Sequence, residues 1–208
     1  MNLKKNHSET TWKLDEKKVI FHSPFIQLIE KKCHHSKAPQ NQHSFYVLES
    51  KDWCNIIPVT EDQKVVLIKQ YRPGLDESTW EIPGGVIETN ENDFLKAAIR
   101  EMTEETGYTP TNNAQSKFLG SVHPNPAIQN NQAHSFIIGP VKKTSPQNLD
   151  PTEIIETKEV PINEIPKWIE SKKITHSLMI NAFFLLIHKS KKPQNSIIDN
   201  LSNYSKTT

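Results

Sequence analysis

Glu101, Glu104 and Glu105 stand within five residues of one another on the segment with the clearest helical periodicity in the chain. Leu95, Ala98, Ile99 and Met102 recur at i, i+3, i+4 and i+7, which predicts a helix over 93–106 with one apolar stripe. Gly107 stands where a left-handed residue would end that helix. The three carboxylates therefore gather at its last turn, at the negative end of the helix dipole. They also repel one another at i+3 and i+4, at a cost of ~0.2–0.5 kcal/mol per pair. A helix shaped for stability alone would carry Lys or Arg there, so the arrangement calls for a compensating cation. The plain alternative is a solvated acidic face, partly relieved by Arg100. What favours a site is the turn upstream: Gly84-Gly85 is the only glycine pair in the chain, and it follows Pro83. Such a pair permits close backbone approach, so its carbonyls or amides could face the same cation or its ligand. Carboxylates and carbonyls are hard oxygen ligands, suited to Mg²⁺ or Mn²⁺ rather than Zn²⁺. Mg²⁺ held in this way usually shares its shell with substrate phosphates, which points to phosphate-ester or pyrophosphate chemistry.

The rest of the chain must position that helix. Its 208 residues suffice for one domain with a small extension. Lys and Arg total 25 against 24 for Asp and Glu, a net charge of +1 that argues against a nucleic-acid or anionic-membrane binder. The local balance is different: between 88 and 105 acids clearly outnumber bases, so a bound metal would supply most of the positive charge for a phosphate substrate. The longest strictly apolar stretch, 182–187, is far short of the ~20 residues that span a bilayer. The first residues carry no apolar signal region, and Cys33 and Cys54 cannot form a disulfide framework. A cytoplasmic location is the expectation, with neither a membrane nor a nucleic acid as partner.

Strand character runs over 19–30, 44–50, 55–60, 65–71, 117–122, 134–139 and 156–160, with a hairpin connection over 31–43. A short strand over 80–87 enters the glycine turn, and 163–172 and 175–188 read as helices. The order is mixed, as in an α/β or α+β domain. Four segments are expected: an extension over 1–18, a β subdomain over 19–54, a main domain over 55–188 and a polar, disordered tail over 189–208.

The run GVIETNENDFLKAAIREMTEETGY, residues 85–108, resembles the Nudix box, whose pattern is G-x5-E-x7-R-E-U-x-E-E-x-G-U. Arg100, Glu101, Met102, Glu104, Glu105, Gly107 and Tyr108 match at every defined position of its second half. The step from Glu91 to Arg100 is one residue longer than the pattern, consistent with an insertion near 90–93. The motifs 52–53, 70–74 and 79–85, with Pro124 past the box, look like the ADP-ribose pyrophosphatase and nucleotide-sugar hydrolase branch. That resemblance covers roughly 23–188.

It implies a Nudix-type α/β/α sandwich with a mixed sheet and an N-terminal antiparallel β extension that serves a homodimer. It further implies an enzyme that hydrolyses a nucleoside diphosphate linked to a group X into a nucleoside monophosphate and phosphorylated X. Mg²⁺ is the implied cofactor, with Mn²⁺ as the other candidate, held by Glu101, Glu104, Glu105 and the carbonyl of Gly84. Glu101 and Glu105 are also counted in the catalytic set. The general base is left between Glu153 and Glu156, with Asp150 an outsider, because the family's second late-loop glutamate position holds Pro151. Arg72, Glu81, Val86, Asn125, Asn131 and His134 fall on the substrate side. Asn131 stands where ADP-ribose enzymes often carry a glutamate, which leaves room for a nucleotide sugar. The other readings are a non-catalytic Nudix-fold nucleotide sensor and a Nudix hydrolase of dinucleoside polyphosphates.

Overall fold

The structure, a computed structural model, describes residues 11–190. The chain divides into two compact units: one runs through Lys51 and includes Asn125–Asn131, and the other comprises Asp52–Pro124 and the chain from Gln132 onward. The tail expected over 189–208 and the start of the 1–18 extension lie mainly outside the described residues.

The first unit is an antiparallel three-stranded sheet of β1 (Trp12–His22), β2 (Gln27–His35) and β3 (Ala38–Glu49). Three expectations fail here. The strand expected over 19–30 is broken at Ser23–Ile26, where Ser23 Oγ accepts from the amides of Phe25 (3.3 Å) and Ile26 (3.1 Å). The connection expected over 31–43 shrinks to Ser36 and Lys37, with strand on either side. Residues 12–18, expected in the N-terminal extension ahead of the first strand, form the start of β1. The cause is common to all three. Both faces of this sheet are mostly polar, so hydrophobic alternation does not mark its strands. Cross-strand charge pairs mark them instead, including Lys32–Glu16 at 2.8 Å and Lys17–Glu49 at 3.1 Å.

The second unit is built on a seven-stranded mixed sheet. Its strands are β4 (Trp53–Thr60), β5 (Lys64–Arg72), β6 (Glu77–Glu81), β7 (Gly84–Val86), β8 (Tyr108–Val122), β9 (Ala133–Lys143) and β10 (Glu156–Pro161). The order is β10-β5-β4-β9-β8, with β6 on β5 and β7 on β4; β4 and β9 are parallel and the other pairs antiparallel. Helix α1 (Phe94–Thr106) covers one face, while α2 (Ile165–Glu170) and α3 (Ser177–Ser190) cover the other.

A strand buried on both faces loses its polar alternation, and β4 and β5 read that way. Ile56 and Val66 pack against Ala97, Ala98 and Met102 of α1. Their neighbours Ile57 and Leu67 pack with Leu178, Met179 and Phe183 of α3. This is the expected α/β/α sandwich. The strand expected over 117–122 begins at Tyr108 instead, because a register shift between Pro110 and Gln115 lets polar residues join it.

Candidate active site

Helix α1 is started and stopped by side chains fitted to those tasks. Asp93 caps it, Oδ1 accepting from the amides of Leu95 (3.1 Å) and Lys96 (3.3 Å). Gly107, at φ 73°, ends it with its amide on the Thr103 carbonyl at 2.8 Å. The glycine turn meets the helix closely. A Cβ on Gly84 would lie 2.7 Å from Asn55 Cα, and one on Gly85 would lie 2.6 Å from the Glu101 carboxyl carbon. Gly84 is therefore needed for the turn to sit against β4, and Gly85 leaves the Glu101 carboxylate its place.

Arg100 holds the loop before the helix. Its Nε reaches Glu91 Oε1 at 2.9 Å and its Nη2 reaches Glu91 Oε2 at 3.1 Å. Glu91 Oε2 also accepts from the Glu88 amide at 2.8 Å. The residue inserted between Glu91 and Arg100 is absorbed by the loop without breaking this fork. Arg100 further touches Glu104 and Glu101, both at 2.9 Å, and its Nη2 lies 3.4 Å from the Val86 carbonyl.

Glu105 is 2% exposed and accepts from the Gly84 amide at 2.9 Å. The expectation assigned the Gly84 carbonyl to a metal; the contact formed with a site glutamate is through the amide. Burial pushes the Glu105 carboxyl well above its ordinary range, the Gly84 hydrogen bond opposes it, and Glu101 and Glu153 push it further. Burial likewise raises Glu101 to about 7, opposed by Arg100 and reinforced by Glu104 and Glu153. Among the described residues no three His, Cys, Asp or Glu side chains already converge as a metal cage. The donor set nevertheless fits a hard divalent cation. Buried carboxylates that raise one another's proton affinity beside a glycine turn are short of positive charge, and the Arg100 contacts to Glu101 and Glu104 offset that only in part.

Of the two candidate bases, Glu153 is the one whose charge acts on Glu101, Glu105 and Arg72. Its Oε2 accepts from the Asp150 amide at 3.1 Å. Glu156 is exposed at the start of β10, opposite Lys69.

Arg72 and Glu81 form a fork, Nε to Oε1 at 2.8 Å and Nη2 to Oε2 at 2.7 Å, with the Thr79 hydroxyl donating to the same carboxylate. Glu81 is fully buried. Burial pushes its carboxyl up, and the Arg72 and Thr79 interactions outweigh this and leave it below its ordinary range. The Glu81 hydrogen bonds hold the Arg72 guanidinium above its own. His134 is buried in a different network, with Nδ1 2.7 Å from Ser121 Oγ, Nε2 3.3 Å from Asp52 Oδ2, and Phe94 against its ring. Asn125 and Asn131 belong to the first unit, where Asn131 Nδ2 donates to the Lys51 carbonyl at 3.2 Å. Sequence reasoning missed Asn55 and His176, which line a cavity with Arg72 and the glycine turn. The one signal available for His176 was its place at the head of the apolar helix α3.

A sandwich whose glycine turn abuts a helix with three glutamates and an arginine that braces the preceding loop defines a class of hydrolase site built for phosphate anhydrides. The chain belongs to the Nudix family: the NUDIX domain family matches residues 54–178. It is a Nudix hydrolase by family. It is 32% identical over 128 residues to the methanol dehydrogenase activator of Bacillus methanolicus, covering 61% of this chain and 67% of that protein. It is 28% identical over 120 residues to the ADP-ribose pyrophosphatase of Bacillus subtilis strain 168, covering 57% and 63%. The chain thus spans about two thirds of the length of these relatives. A crystal structure of an ADP compounds hydrolase superposes with a TM-score of 0.74 at 17% identity, over 88% of this chain and 95% of that one, which shows the fold.

Proposed function

We propose that this chain hydrolyses a nucleoside diphosphate linked to a group X, ADP-ribose or a nucleotide sugar, to a nucleoside monophosphate and phosphorylated X in a Mg²⁺-dependent reaction. The observation that carries the reading is the mutually repelling group of Glu101, Glu105 and Glu153 beside the Gly84 amide. Glu101, Glu104 and Glu105, with the Gly84 carbonyl, would hold the ion, which would supply Lewis acidity and acidify a bound water. Arg100, pinned by Glu91, keeps the glycine turn and the helix in register. Arg72 spends Nε and Nη2 on Glu81, which leaves its Nη1 edge for a phosphate. Glu153 is the base of choice over Glu156, since its charge is the one felt at the acidic group. A loop carboxylate beside a rigid helix suits a group that must accept a proton during turnover.

A homodimer is part of the proposal, supported by Phe21, Phe45 and Tyr46, which are exposed on the three-stranded sheet. So is a cytoplasmic setting, supported by the free thiols of Cys33 and Cys54. Among the described residues no helix is long and apolar enough to cross a membrane. Similarity to an activator of another enzyme favours a second reading, a regulatory module that binds the nucleotide. The acidic group supports catalysis over binding alone, because a sensor has no use for three repelling carboxylates.

The test is a panel of ADP-ribose, ADP-glucose, GDP-mannose, UDP-glucose and NADH, followed by release of nucleoside monophosphate with and without Mg²⁺. Cleavage of at least one substrate only with the metal, lost in Glu101→Gln, is the expected result. Tight nucleotide binding without product would favour the regulatory reading.

A further inference from the structure

A cavity of about 270 Å³ in the second unit is lined by Trp53, Asn55, Arg72, the Gly84–Gly85 turn and His176. One of its polar groups has capacity that the fold does not use, and a second offers a donor. Asn55 is 3% exposed, and its Oδ1 has no hydrogen-bond partner among the described residues. Buried amide oxygens are seldom left so, because the lost solvation goes uncompensated. His176 stands before the first residue of α3, and the Leu178 amide donates to its Nδ1 at 3.2 Å. That bond puts the proton of the neutral ring on Nε2, which becomes a donor. Burial keeps the ring below its usual range, the Glu81 carboxylate opposing and the Arg72 charge assisting, so the neutral form prevails near pH 7.

An unpaired acceptor and a ring N–H donor on residues that line one small cavity select the chemistry of the occupant. The ionised diphosphate of the proposed substrate can meet Arg72 but not Asn55 Oδ1, because its doubly esterified phosphates carry no proton to donate. A hydroxyl donates and accepts, so a pair of sugar hydroxyls answers both groups. The volume lies just under the ~300–1,000 Å³ usual for ligand pockets, which suits a single ring rather than a whole nucleoside. Because the glycine turn and Arg72 line the same cavity, a phosphate attached to that ring would lie at the acidic helix.

We propose that this cavity takes the sugar ring of X, with Asn55 and His176 as the residues that bind its hydroxyls. The inference rests on the nucleoside-diphosphate-X reading above, and its test does not require turnover. Ribose 5-phosphate, inorganic phosphate and adenine are titrated calorimetrically into wild type, Asn55→Leu and His176→Asn. Leucine removes the orphaned oxygen at similar volume, and asparagine keeps a capping acceptor at the head of α3, so both variants are expected to melt near wild type. Each substitution is expected to weaken ribose 5-phosphate about tenfold, the equivalent of one hydrogen bond of about 1.4 kcal/mol. Inorganic phosphate should change by less than about twofold on the same scale. No measurable binding of ribose 5-phosphate to wild type, an unchanged Kd in both variants, or its displacement by adenine would overturn the assignment. Metal-dependent hydrolysis alongside any of those results would leave the proposed reaction standing and remove only the sugar site.

Discussion

Replacing Arg72 by alanine tests whether the fork to Glu81 holds the site together. Glu81 is fully buried, and Arg72 makes two of the hydrogen bonds to its carboxylate. Removing one partner of a buried ion pair leaves an uncompensated charge and typically costs 3–5 kcal/mol. The Arg72 side chain is 35% exposed, so solvent screens part of the interaction and the lower end, about 3 kcal/mol, is the expectation. For a domain of this size that is a drop of roughly 6–12 °C in Tm. The cost has a sign in pH. In wild type the Glu81 carboxyl sits below its ordinary range, so its contribution is present above the unfolded value and is lost as pH falls through the folded one. Without Arg72, burial raises the same carboxyl, and protonation relieves the penalty as pH falls. The deficit of Arg72→Ala should therefore be largest near pH 8 and shrink towards pH 5. Adding Glu81→Gln to Arg72→Ala should recover stability at pH 8, because a neutral amide replaces the stranded charge. The assay is thermal unfolding of wild type, both single variants and the double variant across that range, with chelator present. A melting point for Arg72→Ala within about 2 °C of wild type at pH 8, less than 1 kcal/mol by the same scaling, would refute the reasoning. So would a deficit independent of pH.

Three further outcomes follow from the same geometry. Glu101, raised to about 7 from an ordinary 4.5, contributes stability that is present below the unfolded value and lost as pH rises through the folded one. The metal-free protein should lose up to about 3 kcal/mol through this group between pH 4.5 and 7, and a Tm series should show a shallower slope in Glu101→Gln. Gly85→Ala places a Cβ 2.6 Å from the Glu101 carboxyl; the flexible carboxylate yields rather than the backbone, so Mg²⁺-dependent rise in Tm should weaken while the metal-free Tm changes little. Asp93→Ala removes the cap of α1 and should cost about 1 kcal/mol in urea unfolding.

The sequence made the acidic helix plain, and its stripe and terminal glycine stand where spacing put them. The buried central strands were equally plain, because β4 and β5 are apolar on both faces. The three-stranded sheet was legible only in part: 19–30 and 44–50 read as strand, but strands mostly polar on both faces lack the period-two signal that would set their bounds, and charge pairs visible only in register fix them. Arg100 and its fork on Glu91 illustrate a different limit. A spacing pattern counts residues, whereas the loop between them has slack to take up one more. The Arg72–Glu81 fork depends on the β5–β6 hairpin, which sets both residues on one face, and no local motif announces it. Asn55 reads as one polar residue in an apolar strand, and its meaning rests on a hydrogen bond it does not make.

The central claim is that the glutamates of α1, seated on the Gly84–Gly85 turn, carry out metal-dependent cleavage of a diphosphate. Its most direct test is AMP release from ADP-ribose by wild type and Glu105→Gln, each with Mg²⁺ and with chelator, after both are shown to be folded. Wild type should form AMP and ribose 5-phosphate only with Mg²⁺, and Glu105→Gln should be slower by roughly 100-fold or more, as expected when charge stabilisation at the reacting phosphates is lost. AMP release that persists in chelator, or a Glu105→Gln rate equal to wild type, would contradict the account.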